Sequence, residues 1–591
     1  MRQMKIVIAC ALAAATFASA IAADLPDPVP VRLIGINDFH GSLETANTTI
    51  SLADPGAAAG APKVNVAVGG AAALAGMVQR LRAGSPYSFM LAGGDLVGAA
   101  PLVSSLFRHE STVEILNDIG LEASSFGNHE FDQGFAELQR LVKGGCAPND
   151  PGNPAASCVR SPFGGARFQY LGANVVDASG KPVAPAYVIK RFAGIPVGII
   201  GAVTRTTPQL VMPSGIEGLR FIDEAEGVNR AADELRAKGV RAMVAVFHEG
   251  FELGTEGKRG DWNDTTCPEA HGPLLDIARR LAPEIKVVFS GHSHQGYRCE
   301  VGGRLLIQGT SHGRGISVVD VELDRATGAM LPPVRSINLP LLNEKTDPAQ
   351  RERLAAATPA PFAAVLREVR PDIAIAEKVA VYSKLAAPKA NRQVATIGGT
   401  FMRGPKIDSR GDRIDSPAGR LVADAQLAAT RKLGVQVAFM NPAGIRSPLT
   451  CKGTPPCPVT YGDVFVMQPF GNSLVLMTLT GRELKALLEA QSLTDDRSVM
   501  NPSAGFTYTW QTDAPQGERI RDVLLDGKPL DLDANYRISV NSFMAEGGDG
   551  FVLLRNGRDR KGGGQDLDAL IAYLEAATRI PNPEPRIKRL P

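Results

Sequence analysis

The sequence predicts an α/β protein of two or more domains, and three observations lead to that expectation. From residue 31 to about 341, short apolar runs alternate with longer amphipathic stretches, as strands and helices do when packed in layers. At 591 residues the chain is several times longer than the roughly 100–200 residues of a usual domain. The apolar runs of the first half end in short polar strings, the place where open α/β sheets present side chains to a ligand.

Residues 89–92, 242–247 and 287–289 are continuously apolar, 31–36 is apolar but for Arg32, and all four read as buried strands. Between the first two, residues 46–60 are rich in Ala, Thr and Gly and read as a surface loop. A second loop, 144–165, is dense in Gly and Pro. Good helix formers broken by Pro359 and Pro361 fill 347–370, so residues 346–391 are expected to form a helical connector. It would join a first domain at 30–345 to a second at 392–591. The second shows an amphipathic helix near 421–433, strands near 435–440 and 473–479, and a helix at 481–491.

Composition narrows the partners. With 44% hydrophobic and 21% charged residues, and 63 basic against 61 acidic side chains, the chain carries no field to attract polyanions, which argues against bulk nucleic acid. Arg2 and Lys5 precede an apolar stretch from 6 to 17 and the small-residue pattern Ala20-Ile21-Ala22. That order predicts a signal peptide over 1–23 and a periplasmic or secreted protein without a membrane anchor after cleavage. Six cysteines follow it: Cys146, Cys158, Cys267, Cys299, Cys451 and Cys457. An even count in an exported chain reads as disulfides, and proximity suggests pairing each cysteine with the next in that order. A zinc cluster is the rival, but no CxxC or CxH spacing supports it.

The polar strings carry the chemistry. They are Asn37-Asp38-Phe39-His40-Gly41, Gly93-Gly94-Asp95, Gly127-Asn128-His129-Glu130-Phe131-Asp132, His248-Glu249-Gly250 and Ser290-Gly291-His292-Ser293-His294. Asp, His and Asn without Cys suit Mn, Zn, Fe or Co. Asp38, His40, Asp95, Asn128, His248, His292 and His294 are too many ligands for one such ion. They suit two ions sharing a carboxylate, about 3.5–4 Å apart, as used to clamp the attacking and leaving oxygens of a phosphoryl transfer. Taken singly, an Asp or His after a strand is a turn former or a helix cap. Seven such residues in register are not explained that way.

In order and spacing these strings resemble the calcineurin-like metallophosphatases, in particular the bacterial periplasmic 5'-nucleotidase and UDP-sugar hydrolase branch. The resemblance implies a four-layer metallophosphatase β-sandwich flanked by helices, joined through the connector to an α+β nucleotide-binding domain. It implies that Asp38, His40 and His294 hold one divalent cation, that Asn128, His248 and His292 hold another, and that Asp95 bridges them. His129 would face the scissile phosphate with Asp132 as its dyad partner. Among the other histidines, His109 and His271 are expected to be solvated or structural, and His312 stays undecided.

In the second half, Asn441-Pro442-Ala443-Gly444-Ile445-Arg446 is similar to the family's NGGIR-type segment, which implies Arg446 on phosphate and Asn441 near the base. Phe470 and Phe543 match the aromatic pair that sandwiches a nucleobase, and Asp549 a residue near the ribose. The segment before the helix departs from the family's Arg-x-Arg-Glu run, so the second phosphate arginine is either Arg410 or Arg413. The implied function is release of phosphate from nucleoside 5'-phosphates by a metal-bridging hydroxide. The alternatives are a 2',3'-cyclic-nucleotide phosphodiesterase, a UDP-sugar hydrolase, or a nucleotide-binding protein that has lost catalysis.

Overall fold

The computed structural model describes residues 27–45, 48–55, 63–148, 155–254, 261–403, 415–491, 499–576, 580 and 584–590. The expected signal peptide, Arg410 and Arg413 lie outside the described residues.

The first half is built on two six-stranded sheets. One centres on Val29–Ile36, which pairs in parallel with Ser88–Ala92, itself parallel to Ala123–Ser125. The other centres on Ala242–His248, parallel to Ile195–Val203 on one side and Ile285–Phe289 on the other. Alternation along the strands shows how they pack. Val31 and Leu33 meet Val244, Val246, Val287 and Phe289 between the sheets. Ile34 and Ile36 turn to the helix Ala71–Ala83, and Met243, Ala245 and Phe247 to the helices Glu224–Ala237 and Pro273–Arg280. Helix, sheet, sheet and helix make four layers. Strands buried on both faces have no polar side, which explains their nearly continuous apolar runs, and Arg32 within one of them is buried by pairing with Asp320 at 2.7 Å.

One expectation is corrected here. Within the segment read as a surface loop, Thr49–Leu52 is a strand paired antiparallel with Val64–Ala67. Its apolar signal is a single alternating pair, Ile50 buried opposite Val66, too short to stand out beside Ala and Gly.

The connector residues form three helices, Pro348–Ala356, Ala360–Arg367 and Ile373–Ala390. Pro359 starts the second of these rather than breaking one, as expected for a residue with φ preset and no N–H to lose. Phe362, Leu366, Ile375, Val379 and Tyr382 join the core under Ala71–Ala83, so these helices are packed onto the first half.

The second half has a five-stranded sheet with Asn535–Asn541 at its centre, between Val437–Met440 and Ser473–Thr480. The helices Pro417–Thr430 and Asp566–Glu575 pack together in one core. Gly481–Glu489 and the strand Phe506–Gln511 pack in another. Leu102 of the first half is buried in the former core, which ties the halves together. The disulfides are Cys146–Cys158, Cys267–Cys299 and Cys451–Cys457, the pairing that proximity suggested.

Candidate active site

Every string of candidate ligands lies at the carboxyl end of a strand, and the two sheets bring these ends together. The turns are tight. A Cβ on Gly94 would lie 2.7 Å from the Gly127 nitrogen and 2.8 Å from His248 Nδ1, and one on Gly127 only 2.1 Å from Asp95 Oδ1. No side chain fits at either position. Asp38, His40, Asp95, His292 and His294 all have φ between 47° and 68°, the left-handed region that non-glycine residues avoid. Other residues elsewhere in the chain share this region, but five candidate ligands adopting it together fit a site whose backbone the fold holds in place.

Ligand atoms fall into two groups, Asp38 with His40 and His294, and Asp95 with His248 and His292, each within 4.8 Å. Asp95 lies between them: its Oδ2 is 3.8 Å from His40 Nε2 and 3.1 Å from His248 Nε2. Asn128 Oδ1 stands 3.1 Å from His248 Nε2. His40 Nδ1 donates to the Gly98 carbonyl at 2.9 Å and His248 Nδ1 to that of Gly93 at 2.7 Å, leaving Nε2 of each for a cation. The donors fit borderline divalent ions, three imidazole or carboxylate atoms to a group with Asn128 beside the second. Electrostatics point the same way. Burial opposes charge on Asp95, yet His248, His129 and His40 hold its carboxyl well below the usual range. Burial also works against a proton on His248, but Asp95 and Asp38 push it up to about 10, so the pocket favours positive charge there.

His129 begins a short 3-10 turn, His129–Phe131, which brings its Nδ1 to 2.8 Å from Asp132 Oδ2. Its own backbone N–H donates to Asp95 Oδ1 at 2.9 Å, fixing it to the ligand cluster. Burial disfavours a charged ring, but Asp132 and Asp95 outweigh it and raise the His129 pKa.

The second half reaches this cluster directly. Phe470 stacks on His129 with centroids 5.8 Å apart and 14° between planes, and the Arg446 guanidinium sits 5.8 Å from the Phe470 ring. Asn441 donates to Asp549 at 2.6 Å, and Asn541 donates to Asn441 at 2.8 Å, forming one polar chain. Phe543 lies against Gly548 in the turn that carries Asp549.

Several residues of the site escaped the sequence reading. Glu130 is buried and accepts from the backbone of Asp95 and Leu96, both at 2.9 Å, and of Gly127 at 2.6 Å, so it splints two ligand turns. Its place inside the GNHEFD string was a signal. Arg403 lies close enough to Arg446 to act on its charge, which makes it the described arginine beside Arg446. Asn541 holds Asn441, and only the fold brings them together. His109 is set against Ser104 Oγ at 2.8 Å and pushed down to about 4 by burial and Arg140, a structural role, while His271 is exposed. His312 belongs to the site, its ring 5.0 Å from His40 and 5.2 Å from His294.

Asp566 is buried behind the Phe470 loop, accepting from Gln468 Nε2 at 3.2 Å and donating its backbone N–H to the Asn472 carbonyl at 2.8 Å. Burial pushes its pKa up to about 7. The unfolded chain releases this proton near pH ~4 and the folded chain keeps it to higher pH. Stability is therefore lost as pH rises through that interval. Asp566→Asn is expected to raise the unfolding temperature at pH 8 by about 2–5 °C and to leave it unchanged at pH 4. Calorimetry at the two pH values checks this, and an equal shift at both would contradict it.

Residues 31–296 match the calcineurin-like phosphoesterase family, and residues 394–555 match the 5'-nucleotidase C-terminal domain. The chain is 31% identical over 554 residues to Endonuclease YhcR of Bacillus subtilis, covering 93% of this chain but 40% of that protein. It is 30% identical over 584 residues to Cell wall protein Lmo0130 of Listeria monocytogenes, covering 95% of this chain and 69% of the other. The fold superposes on the crystal structure of a 5'-nucleotidase precursor from Thermus thermophilus with a TM-score of 0.69 and 26% identity, over 95% of this chain and 99% of that one. The chain therefore belongs to the 5'-nucleotidase family of metal-dependent phosphoester hydrolases, combining a calcineurin-like phosphoesterase domain with a 5'-nucleotidase C-terminal domain.

Proposed function

We propose that this protein is an exported phosphohydrolase that uses two divalent cations, Mn, Zn, Co or Fe, to release phosphate from nucleoside 5'-phosphates. One observation carries the reading: a single oxygen of Asp95 faces imidazoles of both ligand groups, the placement a shared carboxylate requires. Asp38, His40 and His294 would hold one ion, Asn128, His248 and His292 the other, and Asp95 both. When bound, such ions lower the pKa of a coordinated water and polarise the phosphoryl oxygens.

The side chains do the rest. His129, oriented by Asp132, holds a proton for the leaving oxygen. Arg446 with Arg403 binds phosphate oxygens, and whether Arg410 or Arg413 shares this role is a matter for substitution. Phe470 and Phe543 hold the base, and the polar chain through Asn441 and Asp549 meets the ribose. The division at 30–345, 346–391 and 392–591 puts catalysis and nucleotide recognition on separate units. Three disulfides favour an oxidising compartment, in keeping with export, and among the described residues no helix is long and apolar enough to cross a membrane.

A second reading, phosphodiester cleavage, is favoured by the similarity to a protein named an endonuclease. Phosphate release from AMP, other 5'-mononucleotides and ATP, set beside formation of nucleoside monophosphate from UDP-glucose and 2',3'-cyclic AMP and cleavage of bis(4-nitrophenyl) phosphate, separates the two. Preference for the diesters would overturn the mononucleotide reading. For the base site, the Phe470→Ala, Phe543→Ala double variant is expected to lose about 10- to 100-fold in kcat/KM on AMP, the scale of base stacking on aromatic rings. Activity on 4-nitrophenyl phosphate should stay within about two-fold by the same reasoning. Equal losses on both substrates would remove the base sandwich.

A further inference from the structure

His312 has the geometry of a functional residue but no role in the ligand sets described. It follows the strand Arg304–Gly309, which runs parallel to Ile285–Phe289, so it leaves the sheet at the same carboxyl edge as His292 and His294. Its φ of 55° places it in the left-handed region with Asp38, His40, Asp95, His292 and His294. Its backbone N–H donates to the Asp38 carbonyl at 2.6 Å, joining it to the first ligand turn. The ring stacks on His40 at 28° and meets His294 edge-on at 86°.

The hydrogen bonds of Ser311 decide which ring nitrogen carries the proton. Ser311 is buried, and its Oγ lies 2.7 Å from Arg314 Nη2 and 2.9 Å from His312 Nδ1. The guanidinium can only donate, so it occupies a lone pair of the hydroxyl oxygen. The oxygen's second lone pair could take an Nδ1–H only if the hydroxyl hydrogen had another acceptor, and among the described residues none is hydrogen-bonded to it, so that hydrogen goes to His312 Nδ1. That places the ring proton on Nε2, and the ring is half-buried rather than sealed in the core. Arg446, Arg314, His129 and His294 all act electrostatically on this ring, so the space around it suits an anion.

We propose that His312 is a substrate-binding residue whose Nε2–H donates to a non-bridging oxygen of the transferred phosphoryl group, on the side of Asp38, His40 and His294. The inference rests on the phosphohydrolase reading and adds a phosphate contact from the first half to those of Arg446 and Arg403 in the second. Because the imidazole is held by Ser311 and by the Asp38 turn, the donor is in place before substrate arrives.

His312→Phe keeps the ring against His40 and deletes the donor, whereas His312→Gln returns an N–H near the position of Nε2. Each is compared with the wild-type protein by metal content after loading with Mn, by calorimetric titration with inorganic phosphate, and by KM and kcat on AMP. His312→Phe is expected to retain full metal, to weaken phosphate binding and to raise KM, each by about 10- to 100-fold, as for loss of a hydrogen bond to a charged group. His312→Gln is expected to recover most of both. Unchanged phosphate affinity in His312→Phe, loss of metal from it, or a Gln variant no better than Phe would overturn the proposal. A wild-type protein that turns over no nucleotide, yet whose phosphate affinity falls in His312→Phe, would remove the nucleotide reading and keep His312.

Discussion

Asp95→Ala is expected to bring AMP hydrolysis to background and to empty both cation sites together. The carboxylate is buried, with one oxygen toward His40 of the first group and His248 of the second, so its loss takes a ligand from each. It also removes the acceptor for the His129 backbone N–H and leaves His248 without its principal counter-charge. Loss of a single charge-stabilising group is worth about 10²- to 10³-fold in rate, and here both cations are expected to go with it. Metal analysis after Mn loading, read beside phosphate release, checks it. Two equivalents of metal retained in an inactive variant would show that Asp95 does not bridge, and full activity would end the two-cation reading. His40→Ala sharpens the comparison, because it should weaken one site and spare the other.

His129→Ala is expected to lower kcat on AMP by about 10²- to 10⁴-fold, the usual worth of a positioned general acid, with both metals retained. Its Nδ1 is committed to Asp132 and its backbone N–H to Asp95, while its ring meets that of His40 edge-on with centroids 5.1 Å apart. A nucleoside is a poor leaving group and needs a proton, whereas 4-nitrophenolate leaves without one. The loss on 4-nitrophenyl phosphate should therefore be smaller than on AMP. Equal losses on the two substrates would assign His129 to charge stabilisation instead, and loss of metal would make it part of the ligand frame. Asp132→Asn should reproduce a milder form of the same pattern, since it unfixes the ring without deleting it.

Much of this was legible because the same physics writes the pattern in both places. Strands buried on two faces must be apolar along most of their length, so Val29–Ile36, Ala242–His248 and Ile285–Phe289 stand out, and the candidate ligands stand out as what ends them. Spacing made the His129 and Asp132 contact foreseeable, since three residues in a helical turn bring side chains together. The hairpin at Thr49–Leu52 was missed because four residues with one buried side chain carry almost no period. Asp566 passed unnoticed because nothing local distinguishes a buried carboxylate from an exposed one at a helix start.

The sequence by itself determined the buried strands of the first half and the candidate donors that follow them, and its spacing suggested the disulfide pairs, because each depends on side-chain chemistry repeated at short range. Tertiary structure decided how these parts meet. Asp95 reaches both ligand groups because the strand before it lies next to Val29–Ile36 while His248 and His292 come from the opposite sheet. Phe470 stacks on His129 across more than three hundred residues of chain, and Ser311 meets His312 Nδ1 in a turn where Arg314 folds back onto the same hydroxyl oxygen. Distance, register and the direction of a donated hydrogen are properties of the packed molecule, and no run of residues contains them.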